Sequence, residues 1–292
     1  MSSKDGVLLT AHGTVESLDD LPQFLSRIRR GRPAPAGLVE ELRHRYERIG
    51  GSPLLRITGE QAELLSASLG LPVYLGMRLW RPELSEALTR ARQEGIERLC
   101  VLPLAPFSVH VYVQAAEQAL AQLGGPPPKL VGCPPFGRSP GFVQAWADAI
   151  SAHERPEPGT ELILTAHSLP TAIVRAGDPY QTEVEACARA LGGALGRTYR
   201  LAYQSQGADG GDWLGPDLPS TLRACRENGA RRVLLAPIGF LSDHVETLYD
   251  LDVEARAQAR ELGLDFSRVP ALNTSPSLIS ALSDAARAAF LS

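Results

Sequence analysis

The chain has 292 residues, of which 44% are hydrophobic, and a formal net charge of −4. That length suits one large domain or two ordinary ones, with apolar side chains enough for packed cores. The charge excludes a broad basic surface for nucleic acid, and no run approaches the ~18 apolar residues of a membrane-spanning helix.

The opening residues "MSSKDG" carry no apolar signal core, so a cytoplasmic protein is expected. Short apolar runs then follow in order: "GVLLTAH" (6–12), "PVYLGMR" (72–78), "RLCVLPLAP" (98–106) and "PKLVGCPPF" (128–136). A second series comprises "ELILTAHS" (161–168), "YRLAYQSQG" (199–207), "RRVLLAPIGFL" (231–241) and "DFSRVPAL" (265–272). Amphipathic segments such as "PAGLVEELRHRYERI" and "PELSEALTRARQEG" separate most of them. Strands alternating with helices predict βαβ units and parallel sheets. The expected fold class is therefore α/β: two similar Rossmann-like domains, each a four-stranded parallel sheet flanked by helices. The polar, Pro-rich stretch "HERPEPGTE" (153–161) marks the main crossing. It separates an N-terminal domain over 1–152 from a C-terminal domain over 153–292, whose final helix is free to pack back on the first domain.

Two repeats support a duplication. "LTAH" occurs at 9–12 and again at 164–167, each time closing an apolar run. "PLAPFSVHV" (103–111) and "PIGFLSDHV" (237–245) align without a gap. Pro103 matches Pro237, Ser108 matches Ser242 and His110 matches His244. Both repeats fall at the C-terminal ends of predicted strands, where open parallel sheets bind ligands. Two such domains facing each other would gather His12, His110, His167 and His244 around one cleft.

The four cysteines, Cys100, Cys133, Cys187 and Cys225, are widely separated. Metal and iron–sulfur sites draw their ligands from close clusters, so reduced, buried thiols and no iron–sulfur cluster are expected. In "LSDHVETLYDLDVE", Glu246, Asp250 and Glu254 are spaced i, i+4, i+8 and share one face of a helix. A solvated acidic face is one reading. A line of hard-oxygen ligands for a divalent cation is the other, favoured by its place next to His244 and a strand end. His167 in "TAHSLP", paired with a carboxylate, would bind a metal or pass a proton. Arg27, Arg29, Arg30 and Arg32 lie close together in "FLSRIRRGRPAP", as a solvated charge run or as forks for carboxylates. The Gly-rich loop "YQSQGADGGDWLGP" holds Tyr203, Ser205 and Trp213, the last suited to cover a flat apolar ligand.

A flat apolar ligand bearing carboxylates, together with a divalent metal, describes a porphyrin being metallated. Over nearly its whole length the chain resembles the ferrochelatases. The motifs that carry the resemblance are "IRRGRPAP…LRHRYERIGGSPL", "TAHSLP", "GDPY", "YQSQG…WLGP" and, most specifically, "PIGFLSDHVETLYDLDVE". The resemblance implies a porphyrin cleft between the domains, with His167 and Glu246 facing each other at its centre and Asp250 and Glu254 continuing a metal- or proton-conducting row. Which of His167 and Glu246 takes the metal and which the protons stays open. The resemblance also assigns porphyrin contacts to His12, Arg29, Arg30, Arg78, Ser205 and Trp213. Related short enzymes often carry Tyr where His12 stands. From its strand end, His12 is expected to ligate the iron of the product haem or to influence its release, with a hydrogen bond to the neighbouring loop as the other reading.

The family implies Fe²⁺ as substrate, haem as product, no permanently bound cofactor and a possible outer site for a divalent cation such as Mg²⁺. "IRRGR" and the lack of a long apolar lip resemble the coproporphyrin III enzymes, with protoporphyrin IX as the other substrate. A monomer without nucleic-acid partners is expected. Rival readings are a cobalt or nickel chelatase of a more polar tetrapyrrole and a non-enzymatic haem binder. The first would use a rich histidine set, and the second has no need of an acidic row. A serine hydrolase is set aside for want of a G-x-S-x-G motif.

Overall fold

The computed structural model describes residues 4–153, 158–207 and 211–291. Part of the Pro-rich crossing at 153–161 and part of the Gly-rich loop lie outside these described residues. Among the described residues eight strands form: β1 (Asp5–Ala11), β2 (Val73–Met77), β3 (Arg98–Pro103), β4 (Lys129–Gly132), β5 (Thr160–His167), β6 (Arg200–Gln204), β7 (Arg232–Ala236) and β8 (Asp265–Arg268). Each falls on one of the predicted apolar runs. The helices used below are α1 (Leu21–Ile28), α2 (Leu54–Leu69), α3 (Val109–Ala121), α4 (Pro140–His153), α5 (Tyr180–Leu195), α6 (Val245–Leu248), α7 (Arg256–Glu261) and α8 (Pro276–Leu291).

Two compact units result: unit 1, Met1–Phe136 with Asn273–Ser292, and unit 2, Gly137–Leu272. Each holds a four-stranded sheet, in the orders β2-β1-β3-β4 and β6-β5-β7-β8. All strand pairs are parallel. The central strands have helices on both faces, and so read as continuous apolar runs rather than alternating ones. Leu8, Leu88, Leu99, Val101 and Ala116 build one core cluster in unit 1. Ile163, Leu222, Val233, Leu235, Leu251 and Phe266 build one in unit 2.

The units divide at 136/137, not at the expected 152/153. Helix α4 buries Phe142, Trp146 and Ile150 and packs on α5 of unit 2. Helix α8 packs on α2 and β3 of unit 1, with Ser68 and Ser283 hydrogen bonded at 2.8 Å. A polar Pro-rich stretch marks a break in hydrophobic pattern, but the apolar face of α4 decides which core that helix joins.

The two sheets repeat one topology. The "LTAH" stretches end β1 and β5, and the gapless pair 103–111 and 237–245 begins at the end of β3 and just after β7. The following helices differ. In unit 1, α3 runs unbroken for 13 residues. In unit 2, α6 lasts four residues and passes into a π turn over Asp250–Ala255 before α7 begins. Within that turn the Glu254 N–H donates to the Tyr249 carbonyl at 3.0 Å, an i→i+5 bond.

Candidate active site

In unit 2 the chemistry gathers at the C-terminal ends of β5 and β6. His167 is the last residue of β5, paired in register with Gln204 of β6. The Ser168 N–H donates to the Gln204 carbonyl at 2.7 Å, and Tyr180 Oη donates to the His167 carbonyl at 2.8 Å. Burial pushes the Tyr180 phenol far above its ordinary range, and the charges of Tyr203 and Glu246 push the same way. Tyr180 therefore stays a donor and pins the strand end.

His167 Nε2 lies 3.4 Å from Glu246 Oε2, both side chains being about one-third exposed at 35% and 28%. His167 Nδ1 is hydrogen bonded to the carbonyl of Ser168. A carbonyl only accepts, so the network assigns the proton to Nδ1. Nε2 then presents either a lone pair beside a carboxylate or, once protonated, a donor to it. Two acceptors at this separation are poised to share a proton or a cation.

Glu246 stands in the first turn of α6. The end of β6 supports it: Gln204, 4% exposed, donates from Nε2 to the Glu246 carbonyl at 2.9 Å. The next residue, Ser205, has φ 58° and donates from Oγ to Asp250 Oδ2 at 2.5 Å. Hydrogen bonds to a charged group contribute about 1.5–3 kcal/mol, which stabilises the left-handed conformation that a non-glycine residue rarely adopts. Ser205 thus spends its hydroxyl on the acidic row. Glu254 lies one turn further along the π segment. Among the described residues no three His, Cys, Asp or Glu side chains gather closely enough to hold one metal ion. The row His167, Glu246, Asp250, Glu254 is thus a series of positions, not one coordination sphere.

Trp213 is held by a backbone bridge to Pro170, by Leu214 N–H to the Leu169 carbonyl at 2.9 Å, and by Ser168 Oγ to the Leu214 carbonyl at 2.8 Å. Its indole covers Gly207 so closely that a Cβ there would meet the ring at 2.7 Å. The loop "YQSQG…W" needs a glycine at that point for this reason.

In unit 1, His12 follows β1, half-buried, with Phe24 of α1 edge-on at 6.4 Å between ring centroids. Phe24 in turn meets Trp80 edge-on at 5.6 Å. Arg27 lies 5.1 Å over Trp80 and pairs with Glu83 at 2.8 Å, so this member of the arginine cluster is structural. Arg29 closes α1, and Arg30 follows it, exposed, at φ 57°. Arg78, exposed at the end of β2, has its guanidinium 5.6 Å from the Tyr112 ring centroid. Its N–H donates to the Ala11 carbonyl at 2.8 Å, which places Arg78 and His12 at adjacent strand ends of unit 1. The four cysteines are buried free thiols.

Sequence reasoning missed Tyr180 and Gln204, and also Asp243, Asp252 and Arg268. Gln204 and Asp243 sit inside recognised motifs, "YQSQG" and "LSDHVE". Arg268 closes the short, largely polar strand "DFSR", where a charge does not stand out.

The ferrochelatase family model matches residues 4–289. The chain is 36% identical to a ferrochelatase of Acidobacterium capsulatum over 97% of its own length and 93% of that protein. It is 36% identical to a coproporphyrin III ferrochelatase of Geobacillus kaustophilus over 95% and 93%. It is 37% identical to a ferrochelatase of Deinococcus radiodurans over 95% and 93%. Among solved structures, SirB from Bacillus subtilis with Fe³⁺ superposes with a TM-score of 0.61 at 14% identity, covering 97% of this chain and 94% of that one. CbiX, the terminal enzyme for biosynthesis of siroheme in denitrifying bacteria, gives 0.55 at 18% identity over 97% and 99%. These two share the fold. No helix among the described residues is long and apolar enough to cross a membrane. The chain belongs to the ferrochelatase family, enzymes that insert iron into a porphyrin in haem biosynthesis.

Proposed function

We propose that this ferrochelatase inserts Fe²⁺ into coproporphyrin III, with His167 and Glu246 as the reacting pair. The observation that carries the reading is the 3.4 Å approach of His167 Nε2 to Glu246 Oε2 at the end of β5. Insertion replaces two pyrrole protons by one Fe²⁺, so the enzyme must accept two protons for each metal delivered. His167 Nε2, with the proton assigned to Nδ1, accepts the two protons one after the other, releasing the first through Glu246 before it takes the second. A neutral imidazole nitrogen is the commonest general base in enzymes and suits that work. Glu246 stabilises the imidazolium and passes the proton on. Asp250 and Glu254 continue the row along which Fe²⁺ arrives and sheds water, and a second divalent cation such as Mg²⁺ would occupy its outer end. Carboxylate oxygens are hard ligands for either ion.

Arg29, Arg30 and Arg78 are assigned to the porphyrin carboxylates, Trp213 and Ser205 to the edge of the ring, and His12 to the iron of the product. The buried, dispersed thiols support a reaction that uses no iron–sulfur cluster. A cytoplasmic monomer completes the reading. Coproporphyrin III carries more carboxylates than protoporphyrin IX, which suits Arg29, Arg30 and Arg32, and relatives at 35–37% identity bear its name. Similarity to the cobalt or nickel chelatase alternative stops at the fold.

The test is Fe²⁺ insertion into each porphyrin side by side. A higher kcat/KM for coproporphyrin III supports the assignment. Preference for protoporphyrin IX overturns the substrate, and failure to metallate either overturns the activity.

A further inference from the structure

We propose that Arg268 is a positioning residue for metal insertion, holding the broken helix that carries Glu246, Asp250 and Glu254. The inference rests on the reading of that row as the metal path.

Arg268 ends β8, and its side chain is 7% exposed. Its Nη1 reaches Asp243 Oδ1 at 2.9 Å. Its Nε and Nη2 take both oxygens of Asp252, at 2.8 and 2.6 Å. Asp243 lies just before α6 and also accepts from Thr247 Oγ1 at 3.0 Å. Asp252 lies in the π turn, between Asp250 and Glu254. One guanidinium therefore grips the chain on both sides of Glu246 and Asp250. Burial alone would weaken its charge, but the hydrogen bonds and charges of Asp252 and Asp243 more than offset that and raise its pKa above the ordinary value.

Unit 1 shows that the topology has no need of this network. In the gapless repeat Asp243 stands where unit 1 has Val109, and at the same offset, two residues past the repeat, Thr247 stands where it has Val113. Leu235 pairs with Arg268 in β7–β8 as Val101 pairs with Gly132 in β3–β4. In unit 1 these places form an apolar contact, with Val113 so close that a Cβ on Gly132 would meet it at 3.0 Å. There the helix is regular. Buried ion pairs are weak evidence for stability, because apolar replacements of similar volume often serve as well. The charges occur in the unit that carries the acidic row and the π turn, and the bidentate fork supplies an orientation that an apolar contact does not.

Three variants test this beside wild type, each checked for folding by thermal unfolding: Arg268→Lys, the triple Asp243→Val/Thr247→Val/Arg268→Met, which puts apolar side chains in place of the polar network, and Glu246→Gln. Arg256→Gln serves as a control, since Arg256 also meets Asp252, at 3.4 Å, but is half exposed. Arg268→Lys keeps the charge and loses the fork. Its kcat should fall about 10- to 100-fold, as displacement of a reacting group by an ångström does. Its apparent KM for Fe²⁺ should rise while the porphyrin KM stays within about twofold. The triple variant should fold with a cooperative transition and share the kinetic loss. If Glu246→Gln is inactive while folded Arg268→Lys and the triple variant keep wild-type kcat and Fe²⁺ KM, the acidic row stands and the role of Arg268 falls. If Glu246→Gln is itself fully active, the row is not the metal path and the proposal falls with it. A loss in Arg256→Gln equal to that in Arg268→Lys also overturns it, because the effect would then follow surface charge.

Discussion

The ends of β1 and β5 are the same place in two copies of one scaffold, and they carry different chemistry. Both close the stretch "LTAH" and both present a histidine. In unit 1, His12 is set among aromatic rings, with Phe24 edge-on and arginines on the neighbouring segments. In unit 2, His167 faces Glu246 at 3.4 Å, and the elements behind it are tied down by Gln204, Tyr180, Asp243 and Arg268. A duplicated fold repeats the placement of a side chain but not its partners. In unit 2 the partner Glu246 comes from the segment after β7, which a π turn breaks; in unit 1 the ring beside His12 comes from α1, and the helix after β3 is regular. The proposed function rests on that difference, since a fold alone supports many activities.

The largest expected effect lies where the units differ most. Glu246→Gln keeps shape and removes the charge beside His167. Its kcat should fall about 10²- to 10⁴-fold, the range for loss of a positioned acid–base group. Glu254→Gln, two turns along, should chiefly raise the apparent KM for Fe²⁺. Kinetics against Fe²⁺ and Zn²⁺ check both, and a mild Glu246→Gln beside a lethal Glu254→Gln would reverse the direction assigned to the row.

On the unit 1 side the expected effect is on binding. Arg30→Ala should raise the porphyrin KM more than it lowers kcat, the pattern of lost uniform binding. Esterifying the porphyrin carboxylates should erase that sensitivity. An equal response from ester and acid would remove Arg30 from the carboxylate contacts.

The smallest effect falls on both units alike. Burial pushes the thiols of Cys100 in unit 1 and Cys187 in unit 2 up to about 12. In the unfolded chain they ionise near ~8.5. The folded state thus binds more protons than the unfolded one above that pH, and stability present below it is lost as pH rises toward the folded value. Thermal unfolding should show the midpoint falling between about pH 9 and 12, with less of the fall after both residues are changed to Ala. A midpoint that is flat across that window would contradict the burial of these thiols.

The central strands were legible because buried parallel strands are apolar throughout, and the repeats "LTAH" and "PLAPFSVHV/PIGFLSDHV" announced the duplicated sheet. The residues of the acidic row were legible because carboxylates at helical spacing after a strand end are unusual. Their partners were not. Asp243 and Arg268 are 25 residues apart in the chain and meet because β7 and β8 are neighbours, a pairing that local periodicity does not encode. The π turn is equally silent, since the i, i+4 spacing of Glu246 and Asp250 reads as an ordinary helix. Assignment of α4 to unit 2 was missed because its apolar face fits either core by composition alone.

The central claim is that the two equivalent histidines are not equivalent in chemistry. Single-turnover insertion of Fe²⁺ by His167→Ala and His12→Ala, each with thermal unfolding to check the fold, tests it most directly. The account expects His167→Ala to lose about 10²- to 10⁴-fold in the insertion step, with His12→Ala inserting iron at close to the wild-type rate and differing in the spectrum or release of the product haem. Insertion by folded His167→Ala at the wild-type rate, or an equal loss in both variants, would contradict it.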